Sequence, residues 1–185
     1  MGASGGRGSG TGGLTEHDHP ELCAFLASLR QGELLSGTVA AIERFGVFVA
    51  LDDGPGHPVH PGVGFITIPE LAWQRIEAAS DVVQVGQHVT CEFLQFDDWN
   101  LEARLSLRAM RPDPFQAFAD EAGPGRELRG QVTKLVPFGV FVRVAEGIEG
   151  LIHGPEPGLR EGDDVMVRVT EVDRERRRVA LSPAR

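Results

Sequence analysis

The chain has 185 residues, 41% of them hydrophobic and 24% charged, with a formal net charge of −9. That composition can bury the core of one ordinary domain or of two small ones, and no apolar run reaches the roughly 18 residues of a membrane span. The acidity is uneven: residues 126–185 sum to +1 and residues 1–125 to −10, so the C-terminal third remains eligible for a polyanionic partner.

Residues 1–13, MGASGGRGSGTGG, have the composition of a flexible tail, and no apolar segment follows to make a secretory signal. Cys23 and Cys91 fit no metal spacing and are too few for a disulfide framework, so a reducing cytoplasm is the expected compartment. Within 14–32, Leu22, Phe25, Leu26 and Leu29 share one face at helical period from Pro20 to Arg30, with Gly32 as a stop. A short N-terminal helix is expected there.

The chain then repeats itself. The run from Gly37 to Val49 returns from Gly130 to Val142, both copies ending in FGVFV. Gly64-Phe-Ile-Thr67 returns as Gly150-Leu-Ile-His153, and Asp97 to Leu105-Ser106 returns as Asp173 to Leu181-Ser182 at equal spacing. Alternating strands carry Val89, Cys91 and Phe93 in one copy and Val165, Val167 and Val169 in the other. About five short strands per copy with glycine turns predict a mainly β chain: two small antiparallel barrels in tandem, over 33–110 and 126–185. Between them, 111–125 reads as a linker helix started by Pro114 and ended by Gly123. The first copy alone carries an insertion after Leu51, DDGPGHPVHPGVG against AEGIEG, and a helix-like stretch PELAWQRIEAA between Ile68 and His88.

In a strict strand the two FGVFV phenylalanines would face opposite sides. A bulge at the glycine is expected to bring both to the outer face, because Val140, Val142 and Val144 already fill the inner one. Exposed Phe138 and Phe141 beside Arg143 would form a platform on which unpaired bases stack. Arg178 opens the outward alternation of the last strand, Lys134 adds rim charge, and His153 follows a strand. Arg174 and Arg176 read as solvated turn residues.

The ordered pattern G-x-V…F-G-x-F-V, then G-[LF]-I-H, then V-x-D…R-V-A-L-S resembles the S1 RNA-binding domain. This is the oligonucleotide-binding (OB) barrel repeated in the largest small-subunit ribosomal protein and appended to polynucleotide phosphorylase and ribonuclease E. The resemblance covers about 33–110 and 126–185 and implies five-stranded barrels that bind single-stranded RNA on one face. Carried over residue by residue, it implies an RNA face of Phe138, Phe141, His153, Asp173 and Arg178 in the second barrel. In the first barrel Phe45, Phe48 and Asp97 match, Thr67 stands at the histidine position and Glu102 at the arginine position. Arg104, two residues on, keeps the strand parity. With −10 in its part of the chain, the first barrel is expected to be a weaker RNA site or a docking module for the small ribosomal subunit or another protein.

No P-loop, GxSxG elbow or zinc cluster is present, so binding without catalysis and without cofactor is expected. His57 and His60 read as a proline-rich surface loop rather than a metal pair, and Asp97 with Asp98 as a polar turn rather than a magnesium site. Trp73 and Ile76, on the helix-like stretch, would either cap the barrel or face a protein partner.

Overall fold

The computed structural model describes residue 14 and residues 18–184; the N-terminal glycine- and serine-rich run lies outside them. The described residues divide into two compact units, one formed by those up to Ala72 with Ile76–Arg111, the other by those from Pro112 onward together with Trp73–Arg75.

The first unit opens with helix α1 (Pro20–Ser28), which starts with proline at its first position and buries Leu22 and Leu26. These join a core of Val39, Val47, Val49, Ile66, Cys91, Phe93 and Leu105, with Phe25 and Leu29 packed at its edge. Five strands follow: β1 (Leu34–Glu43), β2 (Gly46–Leu51), β3 (Gly64–Thr67), β4 (His88–Asp97) and β5 (Glu102–Ser106). They close into a barrel in the order β1-β2-β3-β5-β4. The β3/β5 pair is parallel and the others antiparallel, because the chain leaves β3, crosses to β4 and returns through a tight turn. The second unit begins with helix α2 (Pro114–Glu121), capped by the Asp113 carboxylate, which accepts from the Phe115 N–H. Its strands are β6 (Glu127–Val136), β7 (Gly139–Ala145), β8 (Ile148–His153), β9 (Asp164–Asp173) and β10 (Arg178–Pro183). They close in the same order, with β8/β10 as the parallel pair, around Val132, Val140, Val142, Ile152, Val167, Val169 and Leu181. Both units are thus five-stranded β-barrels.

Two local expectations differ from the structure. The stretch 69–79 is not a helix: a single 3₁₀ turn at Ile68–Glu70 is followed by bends, and a second begins at Ala79. Leu71 and Ala79 are both buried in the first core, and anchoring the two ends overrides a modest helical preference. The bulge is also elsewhere. It lies on β1 between Val39 and Ala41, and on β6 between Val132 and Lys134, across from the phenylalanine strand. The motif glycine serves close packing instead: a Cβ on Gly46 would sit 2.5 Å from the Ile66 carbonyl oxygen, and one on Gly139 2.2 Å from that of Ile152.

Cys91 is fully buried in the first core, and burial pushes its thiol pKa up to about 12. Almost no thiolate forms at neutral pH, and the thiolate is the nucleophile. Iodoacetamide at pH 8 is therefore expected to spare Cys91 in the native chain and to label it after denaturation. Peptide mass spectrometry reads this directly, and fast native labelling would contradict the placement of β4.

Candidate nucleic-acid interface

The β1–β2 and β6–β7 hairpin turns position the first motif ring of each barrel. Phe45 and Phe138 sit in these turns, not in the strands, and are 62% and 59% exposed. The second ring leaves the strand itself: Phe48 on β2 opposite Ala41, and Phe141 on β7 opposite Lys134. In both barrels the rings meet edge to face, at 6.2 Å and 85° in the first and 6.3 Å and 86° in the second.

The second barrel leaves this face open. Phe141 is half-buried, and Phe141, Arg143, His153, Asp173 and Arg178 line one cleft. Phe138 stands at its margin through the edge contact with Phe141. Lys134 is exposed on the neighbouring strand and does not line the cleft. Among the described residues the side chains of His153 and Arg178 make no hydrogen bond or ion pair, while Arg143 donates to Gln131 at 2.6 Å. Arg176, expected to be a plain solvated turn residue, also lines the cleft. Glu146, Glu149 and Glu171 share its walls, so the field is mixed. Asp173 accepts from the Arg176 backbone N–H at 2.9 Å and so closes the β9–β10 turn.

The other arginines of that turn are held by partners, although Arg177 also lines the cleft. Arg174 donates to Gln116 and to Asp120 on α2. Arg177 pairs with Asp113 and lies 5.0 Å from the ring centroids of Phe115 and of Trp73. Trp73 thus groups with the second unit. Arg177 and its counterpart Leu101 both hold positive φ, 55° and 53°, at the end of equivalent turns. Burial would raise the Asp113 pKa, but the Arg177 guanidinium and the Phe115 and Gln116 N–H groups outweigh it and hold the carboxyl below its ordinary value.

The first barrel covers the corresponding face. Phe48 is only 4% exposed, contrary to the expected pair of outward rings. Phe65, where the second copy has Leu151, packs 5.0 Å from Phe48 and 5.8 Å from Phe45. The His60 ring stacks on Phe48 at 4.9 Å, and the His57 ring stacks on His60 at 4.6 Å. Arg104 lies 4.8 Å over Phe65 and is committed to two carboxylates, Asp97 at 2.6 Å and Glu102 at 3.5 Å. Asp97 also accepts from the Trp99 and Asn100 backbone N–H groups and the Asn100 amide. Burial would raise its pKa, yet Arg104 and Asn100 together hold it below the usual carboxylate value. Glu102 is buried, which raises its pKa, and Arg104 offsets part of that.

Phe65 and the histidine pair were the groups of this face not anticipated. Aligning the copies already exposes Phe65 against Leu151, but nothing in the sequence says where an insertion folds back. Among the described residues no cluster of three or more metal-ligating side chains forms, and no helix is long and apolar enough to cross a membrane.

Two closed five-stranded barrels of this topology, each with aromatic residues on one face, define a protein of the OB class. The family model described as the S1 RNA binding domain matches residues 28–108 and 121–183. The chain belongs to that family. It is 43% identical over 169 residues, 85% of its length, to the small ribosomal subunit protein bS1 of Mycolicibacterium smegmatis, covering 33% of that protein. It is 32% identical over 170 residues to bS1 of Neisseria meningitidis, covering 85% of this chain and 29% of that one. The chain thus spans about a third of the length of the curated relatives it matches. Among solved structures, the intact alpha subunit of aIF2 from Pyrococcus abyssi shares 29% identity over 49% of this chain and 34% of that one, with a TM-score of 0.38.

Proposed function

We propose that this chain binds single-stranded RNA without catalysing any reaction, in translation, and that the second barrel is the main RNA site. The observation that carries the reading is the open cleft in which Phe141 lies beside unpaired His153 and Arg178, with Phe138 exposed at its margin. Stacking on aromatic faces is worth roughly 1–3 kcal/mol per base and tolerates any base. Arg178 and Arg143 contact phosphate or stack on a base, with Lys134 and Arg176 adding charge at the rim. His153 donates to a base or phosphate. Asp173 keeps one carboxylate oxygen for a base amino group or a 2′-hydroxyl. The acidic residues in the same walls keep affinity modest. The matched relatives are small-ribosomal-subunit proteins, which supports the cytoplasm as the site of action and that subunit as a partner.

In the first barrel, Phe45 remains exposed, but Phe48 is covered and Arg104 and Asp97 neutralise each other. Those four residues are at most a weak RNA site. Arg178→Ala is expected to weaken RNA binding and to flatten the slope of log affinity against log salt by about 0.7, the value for one phosphate contact on a single strand. Fluorescence anisotropy across a salt series measures both. An unchanged slope would remove Arg178 from the phosphate contacts.

A further inference from the structure

The insertion that only the first copy carries ends up on that copy's nucleic-acid face. We infer that it acts as an intramolecular occupant of a latent base-stacking site. This inference rests on the assignment of the second barrel as the main RNA site.

Phe48 occupies the strand position of Phe141, where the second barrel leaves a half-open ring. His60 covers it at 4.9 Å between centroids and 21° between planes, the geometry of an aromatic ring laid on another. His57 continues the column at 4.6 Å and 30°. Two planar nitrogen heterocycles stacked in succession on a phenylalanine take up the stacking surface that a base would otherwise use.

The column is fastened at both sides. His57 Nε2 donates to the Asn100 carbonyl oxygen at 2.8 Å, while its Nδ1 accepts from the Val59 and His60 backbone N–H groups at 3.1 and 2.8 Å. That pattern requires the neutral Nε2–H tautomer. His60 Nε2 lies 3.5 Å from Glu102 Oε1. Glu102 and Asp97 also hold Arg104, so the cation of this face is withheld along with its ring. The loop is therefore a competitor at very high local concentration, and single-stranded RNA reaches Phe48 only when the loop lifts.

The test uses the full chain with Phe138→Ala and Phe141→Ala silencing the second barrel, titrated with fluorescein-labelled dodecauridylate. Adding His57→Ser and His60→Ser is expected to raise affinity about tenfold over this background, the worth of one stacking contact. No gain from a variant that melts at the background temperature overturns the inference. In case that variant fails to fold, the unsubstituted chain provides a second reading by NMR. The His57 and His60 ring-proton resonances, shifted by their stacked neighbours, should move toward free-histidine positions at RNA concentrations well above those that saturate the second barrel. Resonances that stay fixed also overturn it. The two claims fail separately. If the second-barrel substitutions leave binding intact, the main-site assignment falls; if they abolish it and opening the loop restores none, only the loop inference falls.

Discussion

Phe141→Ala is expected to weaken binding of single-stranded RNA about tenfold, and Phe141→Ala with Phe138→Ala about a hundredfold. One stacked base is worth roughly 1–3 kcal/mol, and each 1.4 kcal/mol is a factor of ten. The two rings stand nearly perpendicular, at 86°, so each offers its own face and the losses should approach additivity. The fold should survive both changes, since Phe138 sits in a turn and is 59% exposed, while the valines on the inner side of β7 remain. Anisotropy with a labelled oligonucleotide reads the affinity, and circular dichroism checks the fold. Phe45→Ala is the matched control, and it should cost far less because the adjoining Phe48 is covered. Equal losses from both barrels would contradict the division between them.

The second large effect is on stability. Gly139→Ala is expected to destabilise the second barrel by about 3 kcal/mol, the upper end of the range for overpacking. The added methyl would sit 2.2 Å from the Ile152 carbonyl oxygen and 2.9 Å from the Leu151 side chain. The first of these is backbone, so β7 and β8 must move apart and their ladder must weaken. Hydrogen exchange should then show lost amide protection in β6–β10 with β1–β5 unaffected, and the thermal transition of that unit should fall by several degrees or more. Unchanged protection would mean that the strands separate at little cost and that the glycine is not there for packing.

The barrels were legible because their signals are local and doubled. Alternation in β4 and β9, the glycine turns and the equal spacing from Asp97 to Ser106 and from Asp173 to Ser182 each fix a strand or turn without tertiary information. Pro114 at the first position marked α2 in the same way. The segment 69–79 misled because helical periodicity in so short a stretch is weaker than the burial of Leu71 and Ala79. The motif glycine misled for another reason. Conformational freedom and lack of a side chain both select glycine, and only the neighbouring strand reveals which is used.

The second-barrel face could be read residue by residue, since Phe141, His153, Asp173 and Arg178 come together through the regular pairing of β7, β8, β9 and β10. The first-barrel face could not. Its matching residues, Phe48 and Asp97, look competent in sequence, but their availability depends on a loop and on ion pairs spanning 3.5 Å or less. Such partners are chosen by packing and leave no periodic trace.

RNA lying on the second barrel's aromatic cleft would bring its bases within reach of Phe138, Phe141 and His153. Photocrosslinking the full chain to an oligonucleotide carrying 4-thiouridine, followed by mass spectrometry of the adducts, tests this placement most directly. Adducts are expected on peptides bearing Phe138, Phe141 and His153. Adducts confined to the peptides of Phe45, Phe48 and Phe65, with none on the second barrel, would contradict it.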